Sequence, residues 1–213
     1  MDLGLGNLSI LKKFILPGSL ASTASQIAPD STFIALGLGA SAAIEGICNR
    51  NFGRKVGDVF LTDADRFNVI LPRYPVETIT AVDIKASDAD NWLSQQLASV
   101  IVRRDLNSGS IWFPYTQGVH WGTIRITYTG GYWYETLEPS DSGYPSTQPS
   151  GSTALPNDLQ MAWLLWCSEI WNRRDKLGLG LANTPDQVFQ IDKLTMPAPL
   201  DGMIRRYARM QLS

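Results

Sequence analysis

Residues 44–54 read IEGICNRNFGR, and they separate a helical sequence pattern from a strand pattern. Before this segment, apolar and small residues recur at the spacing of one helix face: Phe33, Gly37, Ala40, Ile44 and Ile47. After it the period of the apolar residues changes to two, which is typical of strands. The segment therefore predicts a joint between a helix, with its N-cap at Asp30, and a sheet.

The polar residues of the joint predict how the helix ends. Asn49 or Asn51 can adopt the left-handed conformation that ends a helix, as can Gly53. Phe52 would anchor the crossing into the sheet. Arg50 would either bond helix carbonyls or reach a neighbouring subunit. Cys48 beside these arginines could suggest a nucleophile, but its place near the apolar stripe favours a buried small side chain.

The middle of the chain predicts an antiparallel sheet. Six segments with strand-like sequence are separated by turn sequences: DVFLTD, RFNVIL, ETITAVDIKA, LASVIVRRD, GSIWFP and GTIRITYT. In the last of them Ile124, Ile126 and Tyr128 alternate with polar residues, so one face of the sheet would lie on a core. Six strands in hairpin order predict a small sheet or barrel.

A second helical region follows a long Pro/Ser/Gly-rich loop. Its start signal is LPND, with a proline in the first turn and Asp158 near the positive end of the helix dipole. The predicted helix continues to about Lys176 and carries Trp163, Trp166 and Ile170 on one stripe. Because further apolar residues surround this stripe, the helix must be covered on more than one side, and we expect neighbouring subunits to cover it.

These patterns define an α+β fold, a helical bundle with an inserted small antiparallel β-sheet or barrel. The division along the chain is 1–54 for the N-terminal helices, 55–132 for the β insert, 133–154 for the loop, 155–182 for the late bundle helix and 183–213 for a C-terminal docking segment. That last segment predicts a short basic amphipathic helix, with Arg205, Arg206 and Arg209 beside apolar residues. A terminal helix folded back onto its own bundle fits the same pattern.

Composition argues against several functions. The 213 residues include 18 basic and 20 acidic side chains, so no excess of positive charge favours coating of DNA or membrane. Cys48 and Cys167 form no CxxC pair and the chain has one histidine, which predicts no structural zinc. The N-terminus lacks the order of a secretory signal, and the longest apolar run contains Glu45 and is shorter than a membrane span. We expect a soluble protein, intracellular at synthesis.

Motifs for catalysis and for cofactor binding are weak. Gly37, Gly39 and Ala42 formally match a dinucleotide fingerprint, but hairpins follow where a parallel βαβ unit would be required. His120 lies in a glycine-flanked turn, and the chain has no GxSxG elbow. We therefore predict no enzyme, with no catalytic residue, cofactor or metal. Four tryptophans lie in or beside the predicted strands: Trp92, Trp112, Trp121 and Trp133. Because aromatic rings can bind sugars, a sugar-binding module is an alternative.

Four short segments in order carry a family resemblance: NRNF at 49–52, LPRYPV at 71–76, YTGGY at 128–132 and LPNDLQMA at 155–162. Together with the helix–sheet–helix layout, their order resembles the head-to-tail connector, or adaptor, proteins of long-tailed bacteriophages. The resemblance spans about residues 30–207. The loop at 133–154 is longer than we expect for the family, and the sheet region is fuller than in its smallest members.

The resemblance implies a non-enzymatic virion protein that forms a ring, usually twelve-fold, between the portal and the next neck or tail component. Such a ring extends the DNA channel without tight or sequence-specific DNA binding, and it has no membrane partner. It would lie in the virion neck, after synthesis in the host cytoplasm. The alternatives are a neighbouring neck component, such as a stopper or tail-completion protein, or a carbohydrate-binding virion module.

The resemblance also implies roles for particular residues. Trp163, Trp166 and Ile170 would pack between subunits in the helical ring body. The portal-facing candidates are Arg205, Arg206, Tyr207 and Arg209. As a further hypothesis, the acidic residues of the long loop line or rim the channel: Glu135, Glu138 and Asp141.

Overall fold

A computed structural model describes residues 2–16, 29–63, 68–87, 89–97, 103–113, 122–173 and 196–209. The chain forms two compact units. The helical unit comprises Met1–Cys48, Glu135–Ser146 and Leu155–Ala208, and the sheet unit comprises Asn49–Tyr134, Thr147–Ala154 and Arg209–Ser213. His120, Trp121 and the predicted end of the late helix near Lys176 lie outside the described residues.

The helical unit contains four described helices, which are α1 (Leu8–Ile15), α2 (Asp30–Cys48), α3 (Asn157–Arg173) and α4 (Ala198–Arg205). Asn7 caps α1, because its side-chain oxygen accepts the backbone N–H of Ile10. The α3 helix packs against α1, α2 and α4, and α2 also packs against α1 and α4. The combination of helices with antiparallel sheets confirms the predicted α+β class.

The tryptophan stripe of the late helix α3 is covered by its own chain. Trp163 and Trp166 are both buried, and Ile170 is half-buried. The indole Nε1 of Trp163 donates to the Gly37 carbonyl at 3.1 Å, and the rings of Phe33 and Trp171 stack with centroids 4.9 Å apart. The helices α1, α2 and α4 supply this cover, and packing of α3 between subunits stays a prediction.

The sheet unit has nine described strands: β1 (Lys55–Asp63), β2 (Asn68–Ile70), β3 (Val76–Lys85), β4 (Leu93–Gln95), β5 (Arg103–Asp105), β6 (Ser110–Trp112), β7 (Thr123–Gly130), β8 (Tyr132–Trp133) and β9 (Thr153–Ala154). Four of them form an antiparallel sheet in the order β1-β7-β3-β4. A second antiparallel sheet has the order β2-β6-β5, and β8 pairs with β9 in parallel.

The pairing of β7 corrects the predicted hairpin order. It lies between β1 and β3, so Ile126 is opposite Phe60 on one side and Val82 on the other. The inward residues of β7 join the core, as the alternation predicts: Ile124, Ile126 and Tyr128. The strand β4 falls between two predicted strands, and the described strand within LASVIVRRD is β5. The loop at 133–154 likewise ends in a strand, β9.

The chain passes from the helical unit to the sheet unit at Asn49. This residue has φ 49°, the left-handed conformation that ends α2. Phe33, Ala40, Ile44 and Cys48 are buried along α2. Ile47, which the apolar stripe also included, is exposed. Successive residues of an ideal helix are turned by about 100°, which places Cys48 within the arc of the buried residues and Ile47 at its margin.

Among the described residues, α2 is one helix long and apolar enough to cross a membrane by length and composition. The longest apolar run of the sequence, residues 33–48, is shorter than this helix, because the helix begins at Asp30 and has 19 residues. Core helices of soluble proteins meet the same criterion, and the inner side of α2 packs on α3.

Candidate interaction surfaces

Arg50 lies inside an aromatic cage in the sheet unit. Its guanidinium carbon is 3.4 Å from the ring centroid of Tyr74, 4.7 Å from that of Phe52 and 5.4 Å from that of Tyr132. It also donates a hydrogen bond to the Tyr74 carbonyl, and the residue is 4% exposed. Burial lowers the pKa of Arg50, and the tyrosines partly oppose this shift.

The cage gives Arg50 a role that neither predicted alternative includes, which is cation–π contact with three aromatic rings. One of its bonds goes to the Tyr74 carbonyl, just before β3, and its burial leaves little surface for a neighbouring subunit. Phe52 is fully buried, and its ring stacks with Tyr132. The joint residues therefore stabilise the entry into the sheet unit through cation–π and aromatic contacts.

A buried carboxylate that sequence reasoning missed lies nearby in the same unit. The Asp58 carboxylate accepts hydrogen bonds from Arg73 Nε at 3.1 Å and from Tyr128 Oη at 3.3 Å. It also forms an ion pair with Lys55 Nζ at 2.7 Å. Burial would raise the pKa of Asp58, but the bonds from Lys55 and Arg73 outweigh it, so the pKa lies below its usual value. Burial and the Asp58 charge raise the pKa of Tyr128.

The sequence signal for this cluster was weak because its members lie in three separate segments. Asp58 alternates with exposed apolar residues in β1, which is the one local hint that it faces inward. Such a charge requires cationic partners when buried. Arg73, which precedes β3, also donates to the Gly53 carbonyl. The cluster links β1 and β7 to the start of β3, and it is structural.

The predicted portal-facing residues mostly bond within their own chain. Arg205 pairs with Asp201 at 2.5 Å, and Asp158 accepts both Arg206 at 2.5 Å and Tyr207 Oη at 2.6 Å. Leu200 and Ile204 of α4 are buried, and α4 packs on α2 and α3. This is the folded-back arrangement that the sequence also allowed. Arg209 belongs to the sheet unit, where it donates to the Ile70 carbonyl.

The acidic residues of the long loop bind backbone N–H groups. Glu138 accepts Leu8 N at 2.8 Å and Ser9 N at 3.0 Å, so its carboxylate caps the N-terminus of α1. Asp141 in turn accepts Glu138 N at 2.8 Å. Glu135 accepts the backbone N–H of Leu137 and both donors of Ser146. These bonds give all three carboxylates a structural role; the channel-lining role stays a prediction.

Exposed large apolar side chains mark the surfaces that suit protein contacts. In the helical unit four of them lie on two helices, with Leu38 46% and Ile47 37% exposed on α2, and Met161 44% and Leu165 39% exposed on α3, and Tyr144 is exposed in the long loop. In the sheet unit Val56, Val59 and Leu61 are exposed along β1, an edge strand. Within the described ranges, no group of three or more His, Cys, Asp or Glu side chains could hold a metal ion.

Comparison with solved structures gives a fold similar to a chain from a structure described as the neck of an empty GTA particle computed with C6 symmetry. The two chains share 18% identity, with a TM-score of 0.56, and the match covers 97% of this chain and 90% of that chain. No protein-family model and no curated protein matches this sequence. The similarity therefore establishes a shared fold across nearly the whole chain.

Proposed function

We propose that this chain is a structural protein of the virion neck, and more specifically a head-to-tail adaptor. In this role it forms a homo-oligomeric ring between the portal and the next neck or tail component. The observation that carries the proposal is the fold similarity over 97% of the chain to a component of a symmetric particle neck. The four ordered motifs from NRNF to LPNDLQMA support the same class from the sequence.

The surface of the helical unit supports self-association. Two of its helices expose large apolar side chains, Leu38 and Ile47 on one and Met161 and Leu165 on the other. Such side chains are stabilised when a partner removes them from water. A ring of twelve copies, as the resemblance implies, is compatible with the six-fold symmetry of the similar neck.

The charge of the chain suits a DNA conduit. Its formal net charge of −2 provides no overall attraction for phosphates, so a passing genome would not be retained by the protein as a whole. We place the protein in the virion neck, with assembly in the host cytoplasm. The portal, the next neck or tail protein and the passing DNA are its partners besides other copies of itself.

The α4 helix and the residues after it are the proposed portal contact. Leu200 and Ile204 hold α4 on its bundle, while the Arg205 and Arg206 side chains stay more than half exposed. An exposed pair of cations on an anchored helix can meet an acidic partner without refolding.

Deletion of residues 200–213 tests this role in infected cells. We expect DNA-filled heads without stable tails, because the ring could not hold the portal. Normal virion yield would remove the docking role from this segment. Accumulation of portal-bound rings that lack the next component would instead favour a stopper or tail-completion role. Binding of the purified protein to a glycan array would favour the sugar-binding alternative.

A further inference from the structure

The α2 helix has an outer face of exposed apolar and small residues, with the half-buried Glu45 at its edge. It consists of Leu38, Gly39, Ala42, Ala43, Gly46 and Ile47, all of them exposed. We call these six residues the α2 outer face. Exposed helix faces of soluble proteins usually carry charged and polar residues. This face therefore has the composition of a contact surface, over about three turns of the helix.

Two glycines of the α2 outer face have no packing role within the described chain. A Cβ added at Gly39 or Gly46 would meet no atom within 4 Å. By contrast, a Cβ at Gly37, on the buried side, would lie 2.9 Å from Leu3 Cδ1 and 3.3 Å from Leu11 Cδ2. Glycine is unfavourable inside a helix. Packing against Leu3 and Leu11 requires a glycine at position 37. Gly39 and Gly46 have no such contact, and they leave the helix backbone open to close approach by another molecule.

The α3 helix exposes a second apolar surface of the opposite shape. Met161 and Leu165 are one turn apart and exposed, so they project from the helix as adjacent large side chains. We call this pair the α3 knobs. Large side chains on one surface pack well against small residues on another, as ridges pack into grooves.

The two surfaces lie on opposite sides of the α2–α3 pair. The helices meet where Trp163 Nε1 donates to the Gly37 carbonyl at 3.1 Å. Two residues along a helix correspond to a turn of about 200° around its axis. Gly39 is two residues from Gly37 on α2, and Met161 and Leu165 are each two residues from Trp163 on α3. All three therefore lie on the side of their helix that faces away from this contact. The outer face and the knobs therefore point away from each other. One copy can present its knobs to the next while its own outer face receives a third.

We infer that the α2 outer face of one copy receives the α3 knobs, Met161 and Leu165, of a second copy. The inference rests on the proposed function and names the interface through which the ring forms. A contact between two different surfaces is heterologous, so it repeats from copy to copy and closes into a ring when the rotation allows. Contact of one α2 outer face with another would be isologous and would stop at a dimer.

Two double variants test the inference, each blocking one surface. In G39L/G46L, leucine side chains fill the groove at positions where a new Cβ would meet no atom of the described residues within 4 Å. In M161E/L165E, charges replace the knobs. We expect each variant to weaken self-association by at least about tenfold, measured by analytical ultracentrifugation and native mass spectrometry. Mixed in equal amounts, the two variants should form a discrete 1:1 dimer, because each retains one intact surface.

Matched controls keep the test specific. Gly202→Leu adds the same side chain to an exposed glycine of α4 with open space around it, and Leu93→Glu adds the same charge at an exposed leucine of β4. Both should associate as the wild type does. If M161E/L165E has lowered helix content by circular dichroism, Leu165→Gln repeats the test without a charge.

The outcomes separate the inference from the proposed function. If the wild type forms rings and either double variant forms them equally well, the proposed interface is wrong, while the proposed role in the neck is unaffected. Loss of association in G39L/G46L with normal association of M161E/L165E would show an isologous α2 contact, and would also overturn it. A wild type that binds phosphatidylcholine vesicles as a monomer would assign the α2 outer face to a membrane. A wild type that stays monomeric with portal present would contradict the proposed function itself.

Discussion

Trp163 donates its indole N–H to the backbone carbonyl of Gly37 across 3.1 Å, and this bond fixes how α3 sits on α2. Both partners are buried. A Cβ at Gly37 would press on Leu3 and Leu11, whereas a Cβ at Gly6 would lie 2.7 Å from the Trp163 ring. Packing in this unit therefore depends on two glycines, Gly37 beside Leu3 and Leu11 and Gly6 beside the Trp163 ring.

We expect Trp163→Phe to lower the free energy of unfolding by about 1–3 kcal/mol, because it removes a buried hydrogen bond and leaves a cavity beside Gly37. Urea denaturation followed by circular dichroism measures the change. Trp112→Phe is the matched control, since Trp112 is exposed on β6. Equal effects of the two substitutions would contradict the assigned packing of Trp163.

Glycines on the two sides of α2 should respond in opposite directions to alanine. Gly39→Ala should raise the stability of the unassembled chain by about 0.5–1 kcal/mol, the usual gain in a helix interior. Gly37→Ala should lower it by about 1 kcal/mol or more, because the new Cβ would press on the buried Leu3 and Leu11. Thermal unfolding of both variants checks the sign, and stabilisation by Gly37→Ala would show that the inner side of α2 is loosely packed.

The Asp58 cluster predicts a pH-dependent contribution to stability. The pKa of Asp58 is lowered in the folded chain despite its burial, by hydrogen bonds from Lys55 and Arg73. The contribution is therefore complete above the unfolded pKa of about 3.9 and is lost as the pH falls through the lower folded value. Asp58→Asn should cost about 1–3 kcal/mol at neutral pH.

Urea denaturation of the wild type and Asp58→Asn at a series of pH values checks this assignment. The difference between the two proteins should be constant from neutral pH down to about 4 and shrink below it. Asp63, an exposed residue at the other end of β1, supplies the control Asp63→Asn, for which we expect little change. A difference for Asp58→Asn that persists unchanged in acid would mean that its charge is not the source of the stabilisation.

Cys48→Ser should leave assembly intact. Cys48 is buried, and its Sγ donates to the Ile204 carbonyl at 3.2 Å, a bond that a serine hydroxyl can also form. We expect a loss of about 1–2 kcal/mol from burying a hydroxyl in place of a thiol, with unchanged ring formation. Electron microscopy of the assembled variant is the check, and loss of rings in a folded variant would assign Cys48 a role beyond packing.

The helices and the alternation of the strands could be predicted from the sequence because both depend on local periodicity. The buried face of α2 and the inward residues of β7 follow directly from spacing. Strand order could not be predicted, since β7 pairs with β1 and β3 across long stretches of chain.

The candidate site shows the same limit. Arg50 was recognised as part of a joint, but its cage partners Tyr74 and Tyr132 come from distant segments, so its actual role could not be derived. Trp163 was recognised as a packing residue, but a helix that is apolar nearly all round does not reveal whether its own chain or another subunit covers it. The knobs, Met161 and Leu165, are exposed while other residues of α3 are buried because of how α1, α2 and α4 pack on this helix. Spacing along the chain does not reveal that packing.

The central claim is that this chain assembles into a ring of the virion neck on the portal. Native mass spectrometry of the purified protein mixed with purified portal tests it most directly. We predict a single complex in which the portal carries a closed ring of this chain, with a copy number of twelve. A protein that remains monomeric in the presence of portal would contradict the account.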